Sequence, residues 1–244
     1  MQHYTSSTQI SENIRQARTL RGIPPDAYLV PYNSIADLLD RQANAAPDKV
    51  FLFYHNDDAG QQNEWSYRQL NCRVNQVANL LRDQYGICRG DRVATLAFNH
   101  PDAVIAYFAC WKLGAVATPQ NADEDDNRIA FIFQDAGCRV LLAAPEYAER
   151  GTALKARTSS LEHVTAMDAD YQARLDKISE AFTPTVEHML EHPALLVYTS
   201  GTTGVPKGVM LSQYNLLSDC KGVAEWQGLT ADIRMMCVLP VHHV

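Results

Sequence analysis

The chain has 244 residues, 46% of them hydrophobic and 20% charged, with a formal net charge of −7. That length buries one good core and allows one or two domains of ordinary globular composition. The acidic balance argues against a nucleic-acid surface, because binding a polyanion needs a basic patch. The six cysteines (Cys72, Cys88, Cys110, Cys138, Cys220, Cys237) stand singly with no C-x-x-C pair. Such spacing favours reduced thiols over a disulfide framework or a zinc site. Met1 to Arg21 lacks the apolar core of a secretory signal, and the most apolar stretch, Val93 to Val116, is broken by Asn99, His100, Asp102 and Lys112. A cytoplasmic protein without a transmembrane segment is expected.

In chain order, residues 1–33 read as an N-terminal extension, in which Ile23-Pro24-Pro25 would break any early helix. Val50 to His55 reads as a strand, followed by a turn and a return strand ending near Trp65. Ser66-x-x-Gln69 is a capping box, opening a helix with Tyr67, Leu70, Val74, Val77 and Leu81 at helical spacing and Gly86 as its stop. Arg92 to Phe98 predicts a strand, Pro101 to Gly114 a helix, and Ala115 to Thr118 a short strand. A helix is expected from Glu124 to Ala136, stopped by Gly137, then a strand from Arg139 to Ala143. Beyond Pro145 the pattern weakens: a strand near Val164, a helix from about Asp170 to Ala181, then polar linker. Ala194 to Thr199 predicts a buried strand, Ser212 caps a helix running to about Ala224, and Met235 to Leu239 reads as a last strand. Strands alternating with helices give an α/β fold with a mainly parallel sheet flanked by helices.

Three clusters invite functional readings. The acidic run Asp123-Glu124-Asp125-Asp126 suits the first turn of a helix, where it complements the dipole, better than a metal site. His188 and His192 would share one helical face, but no H-E-x-x-H pattern or third ligand accompanies them. Tyr107, Phe108 and Trp111 read as core packing rather than a cofactor platform.

The most informative segment is YTSGTTGVPKG, Tyr198 to Gly208, directly after Ala194-Leu195-Leu196-Val197. Its glycines allow close backbone approach, its hydroxyls and N–H groups donate hydrogen bonds, and Lys207 adds positive charge, so it can surround a polyphosphate. Pro206 fixes the turn ahead of the lysine. It is not a Walker A loop, since Gly208 follows the lysine and Val209-Met210-Leu211 reads as strand. A polar glycine-rich hairpin turn is the plain alternative.

The full string resembles the phosphate-binding signature of the adenylate-forming superfamily, which includes acyl-CoA synthetases, luciferase-like enzymes and adenylation domains of peptide synthetases. Trp65-Ser66-Tyr67-Arg68-Gln69-Leu70, Gly90-Asp91-Arg92-Val93, Lys112 to Pro119 and Leu239-Pro240-Val241-His242-His243 resemble further motifs of that superfamily, so the similarity covers about residues 34–244. The resemblance implies the N-terminal part of the adenylate-forming large domain. It implies an ATP-dependent ligase in which a carboxylate, of a fatty or aromatic acid, attacks the α-phosphate, and coenzyme A then takes the acyl group from the adenylate. Thr199, Ser200, Gly201, Thr202, Thr203, Gly204 and Lys207 would hold the β- and γ-phosphates, and His243 would be the catalytic contact at the acyl end. Mg²⁺ is implied as a cofactor, but no metal ligand is assigned, because the family's glutamate-bearing segment does not occur here. Neither do the ribose-binding aspartate and the C-terminal domain with its catalytic lysine. Residues 34–244 are therefore expected to be a partial AMP-binding domain, inactive alone and self-associating through its cut surface. Two departures stand out: His242 replaces a usual aromatic residue, and Gln213 stands where many relatives carry histidine. An amino-acid-activating adenylation domain, or a nucleotide-binding module without chemistry, stays open, although Leu239-Pro240-x-x-His243 fits the acyl-CoA form better.

Overall fold

The computed structural model describes residues 7–17, 30–56, 60–184, 190–199 and 205–242. Two compact units divide the chain, Met1–Pro31 and Tyr32–Val244. In the first unit, α1 (Ser7–Ala17) is the described element.

The second unit opens with α2 (Ile35–Ala45), whose start is fixed by the Ser34 hydroxyl accepting from the Asp37 N–H at 2.9 Å. A hairpin follows, β1 (Val50–Asn56) paired antiparallel with β2 (Gln61–Ser66). The expected capping box then opens α3 (Tyr67–Tyr85): the Gln69 N–H donates to the Ser66 hydroxyl at 3.2 Å and the Ser66 N–H to Gln69 Oε1 at 2.9 Å. Next come β3 (Arg92–Leu96), α4 (Pro101–Leu113), β4 (Val116–Gln120), α5 (Asp126–Ala136), β5 (Cys138–Ala143), α6 (Ala148–Ala156), β6 (His163–Ala166) and α7 (Ala169–Leu175). The described chain closes with β7 (Pro193–Thr199), β8 (Lys207–Ser212) and α8 (Gln213–Gln227).

Six strands form one sheet in the order β6-β5-β3-β4-β7-β8, parallel except for β8, which returns antiparallel to β7. Successive side chains of a strand point to opposite faces, and here they sort into two cores. Val93, Ala97, Ala117, Val140 and Leu142 join α3 and α4 on one face. Ala94, Leu96, Leu141 and Ala143 join α5 and Leu154 of α6 on the other. Helices cover both faces of a mainly parallel sheet, as the alternation of elements predicts.

Charged side chains tie the layers together. Lys112 of α4 is buried, and its ammonium donates at 2.7 Å each to Asp40, Asn71 and Asn75, joining α4 to α2 and α3. Burial pushes its pKa down, opposed by the Asp40 carboxylate. Arg92 wraps the end of α5, donating to the carbonyls of Ala136 at 2.5 Å and Gly137 at 3.0 Å. Gly137 suits its place because its φ is +64°, a left-handed turn that L side chains rarely adopt, and a Cβ there would push the Arg92 guanidinium aside.

Four expectations need correction. The helix expected to reach Ala181 stops at Leu175, because amides of α3 take over the next backbone: Gln76 donates to the Ile178 carbonyl, Asn79 to those of Ser179 and Ala181, and Asn75 to that of Glu180. Met235 to Leu239 is not a strand; no neighbouring strand pairs with it, and its side chains are exposed. Only Ala194 of β7 is buried, since β7 has only the edge strand β8 on its outer side. His192 lies at a bend before β7 rather than on a helix, and His188 lies outside the described residues. Helices α2 and α6 were not anticipated. The acidic run behaves as a cap: Asp125 Oδ1 accepts from the N–H groups of Asn127 at 2.8 Å and Arg128 at 3.4 Å.

Candidate functional site at the carboxyl edge of the sheet

Strand β7 runs parallel to β4, with Ala117 opposite Leu195, so Thr199 ends it at the same edge as the carboxyl ends of β3, β4 and β5. Ligands of open α/β sheets bind at that edge, where loops leave the strands. The β7–β8 register sets Lys207 directly opposite Thr199, with the loop between them at the open end of the hairpin. Both residues are exposed, and no ion pair joins Lys207 to a described residue. The sheet thus brings these two expected phosphate contacts together, with a lysine that pairs with no described carboxylate at the loop's exit. Ser200, Gly201, Thr202, Thr203 and Gly204 lie outside the described residues, as does His243.

Two neighbours brace the hairpin. The Tyr198 hydroxyl donates to Asp135 of α5 at 2.6 Å, fastening β7 one residue before Thr199. Burial, and then the adjacent Asp135 carboxylate, push the Tyr198 pKa up. Gly208 faces Tyr198 across the ladder, and a Cβ there would lie 3.0 Å from Leu196 Cδ1 and 3.1 Å from Tyr198 Cζ. A side chain in place of that hydrogen would press on Leu196 and on the Tyr198 ring, which would have to give by a few tenths of an ångström. The glycine after Lys207 therefore matters to the brace, not only to loop freedom.

The second motif reaches the same edge. Asn99, three residues after β3, donates from Nδ2 to the Leu239 carbonyl at 2.9 Å, and its Oδ1 accepts from the Val241 N–H at 2.7 Å. Val241 rests against the core of the α3–α4 face, and His242 is buried. The sequence marks Asn99 only as a break in an apolar stretch. The readable signal was a polar side chain at the carboxyl end of a buried strand, just before a helix opened by proline.

Next to it, His100 caps α4, its Nδ1 accepting from the Asp102 N–H at 3.2 Å. The buried Asp102 carboxyl accepts from Gln172 Nε2 at 2.8 Å. Burial raises its pKa against the opposing pull of His100. Gln213, flagged for standing in place of a histidine, is fully buried. Its Oε1 accepts from the Ile35 N–H at 2.8 Å, and its Nε2 donates to the Trp111 carbonyl at 3.3 Å, so it stitches α8 to α2 and α4.

The family model described as AMP-binding enzyme matches residues 39–244. The chain belongs to this family. Among its relatives, a feruloyl-CoA synthase of Amycolatopsis sp is 36% identical over 178 residues, covering 73% of this chain and 34% of that protein. Of solved structures, the inhibitor-bound N-terminal domain of FACL13 from Mycobacterium tuberculosis superposes with a TM-score of 0.74 at 28% identity, covering 86% of this chain and 52% of that one. ATP-bound MatB from Rhodopseudomonas palustris superposes with a TM-score of 0.70 at 28% identity, covering 85% and 41%. The chain thus spans 34% of that curated relative's length and 41–52% of the two solved chains. Its α/β fold is that of the N-terminal domain of these AMP-binding enzymes.

Among the described residues, no three His, Cys, Asp or Glu side chains group as metal ligands. The six cysteines are free. No described helix is long and apolar enough to cross a membrane.

Proposed function

We propose that this chain is the N-terminal portion of a cytoplasmic, AMP-forming carboxylate–CoA ligase, with residues 34–244 part of its AMP-binding domain. Its β7–β8 hairpin would grip the β- and γ-phosphates of ATP. The observation that carries the reading is the hairpin register: Thr199 and Lys207 face each other at the carboxyl edge of a parallel sheet, flanking a loop of hydroxyls and glycines. Phosphoryl chemistry of this kind is mostly positioning plus charge neutralisation. Lys207 supplies charge as pyrophosphate departs; Thr199, Ser200, Thr202 and Thr203 supply hydroxyl donors; Gly201 and Gly204 let backbone N–H groups approach. His243 contacts the acyl end of a fatty or aromatic acid, and coenzyme A accepts the acyl group. The described residues offer no ligand set for Mg²⁺, and we assign the ion no site in this chain.

Calorimetry on the 244-residue chain tests the reading. ATP and inorganic pyrophosphate should compete for one site, AMP should not displace either, and Lys207→Ala should abolish the competition. Equal affinity for AMP and ATP would contradict a polyphosphate grip. The chain alone should show no carboxylate-dependent ATP–pyrophosphate exchange, and vigorous exchange would overturn its assignment as a partial domain.

A further inference from the structure

We propose that Asn99 is a positioning residue: its side-chain amide fixes the Leu239–Val241 backbone to the central strand of the sheet, and so sets where the acyl end of the site begins. This rests on the reading of His243 given above.

Between Leu239 and Val241 lies Pro240, which has no N–H to give and a fixed φ. On either side of it stand the Leu239 carbonyl, which also accepts from Cys237 Sγ at 3.5 Å, and the Val241 N–H. Asn99 meets both, with Nδ2 donating at 2.9 Å and Oδ1 accepting at 2.7 Å. An amide that donates to one residue and accepts from the next but one imitates a strand neighbour. Among the described residues, no backbone–backbone hydrogen bond joins residues 234–242 to the sheet, and Leu239 is 75% exposed.

The amide is also not needed locally, because His100 caps α4. Its anchor is well chosen. Asn99 follows Leu96 and Ala97, which are buried on opposite faces of the sheet centre, so the clamp ties a segment without a ladder of its own to a strand packed on both faces. Val241 adds an apolar contact on the core. Two residues later the chain reaches His243. An amide makes both bonds at once, whereas an ionised carboxylate accepts but cannot donate.

Deuterium exchange of the 244-residue chain reads the clamp directly. In Asn99→Ala the Val241 amide should exchange at least roughly tenfold faster than in wild type, with β3 and α4 unchanged. Asn99→Asp, which keeps the acceptor for Val241 but loses the donor for Leu239, should fall between them. In the full-length ligase, Asn99→Ala should raise KM for the carboxylate roughly tenfold while KM for ATP and the melt hold, since misplacement of a site group costs up to about 10² in rate. His243→Ala is measured beside it. Unchanged Val241 exchange in Asn99→Ala overturns the clamp. Faster exchange with wild-type kinetics, while His243→Ala is impaired, overturns the positioning role alone. If His243→Ala is also unimpaired, the acyl-end reading fails, and the positioning role with it.

Discussion

The centre of the sheet and its β7–β8 edge are built on opposite terms. In β3 and β5 nearly every residue is sealed between two helix layers, and the side chains alternate between two cores. At the edge, the first four residues of β8 are exposed, and Met210, Trp226, Met235 and Met236 face solvent. The centre holds the fold, whereas the edge presents Lys207 and Thr199 at low cost to it. Stability and phosphate binding should therefore separate by region when the chain is mutated.

The largest expected effect falls on the centre. Phe133 of α5 is fully buried between sheet and helix, so Phe133→Ala should cost about 3–5 kcal/mol in a urea melt. A loss below about 1 kcal/mol would mean the two-layer core is not what holds the fold. Gln213→Ala probes the seam between the regions. It leaves the Ile35 N–H at the start of α2 without its acceptor and should cost about 1–3 kcal/mol. A cost as large as that of Phe133→Ala would blur the contrast between core and edge.

Asp102 gives a smaller, pH-dependent effect within the centre. It faces His100, Arg73, Gln172 and Tyr171, and burial raises its folded pKa above 3.8. A carboxyl with a raised folded pKa is best accommodated when protonated. Its contribution is fully present below about pH 3.8, and is lost as pH rises through the folded value. Relative to Asp102→Asn, the wild type should lose stability as pH climbs through that window, as read by melts in a pH series. A wild type that gains stability over the same interval would reverse the assignment. The smallest effect belongs to the edge: Met236→Ser should move the melt by no more than about 0.5 kcal/mol. It should lower concentration-dependent light scattering, if the exposed apolar strip drives self-association. Unchanged scattering would remove that strip as the cause.

The same contrast decides what could be read in the sequence. Elements at the centre carry their own evidence: the Ser66–Gln69 box, Pro101 at a helix start, Gly114 and Gly137 at helix ends, and apolar residues at the period of each element. Those signals are local, and they placed most elements to within a few residues. The Met235–Leu239 strand failed because an apolar run becomes a strand only where a partner pairs with it, and partners are not local. The Asp170–Ala181 helix failed likewise, its second half claimed by amides of α3 about one hundred residues earlier. Asn99 escaped notice because its bond to Leu239 spans 140 positions. The phosphate role proposed for Lys207 comes from a contiguous string, Tyr198 to Gly208, and the β7–β8 register sets that lysine against Thr199.

On the proposed reading, the edge hairpin works on phosphate without holding up the fold. The most direct test of this is adenylate formation by the full-length ligase, measured beside a thermal melt, for wild type, Lys207→Ala and Lys207→Arg. The Ala variant should lose ~10²–10³ in rate, the scale of removing one preorganised donor from a developing charge. Its stability should shift by no more than about 0.5 kcal/mol. The Arg variant should recover part of the rate, because a planar fork does not replace a compact ammonium. Near-normal turnover in Lys207→Ala with an unchanged melt would contradict the phosphate role of the hairpin.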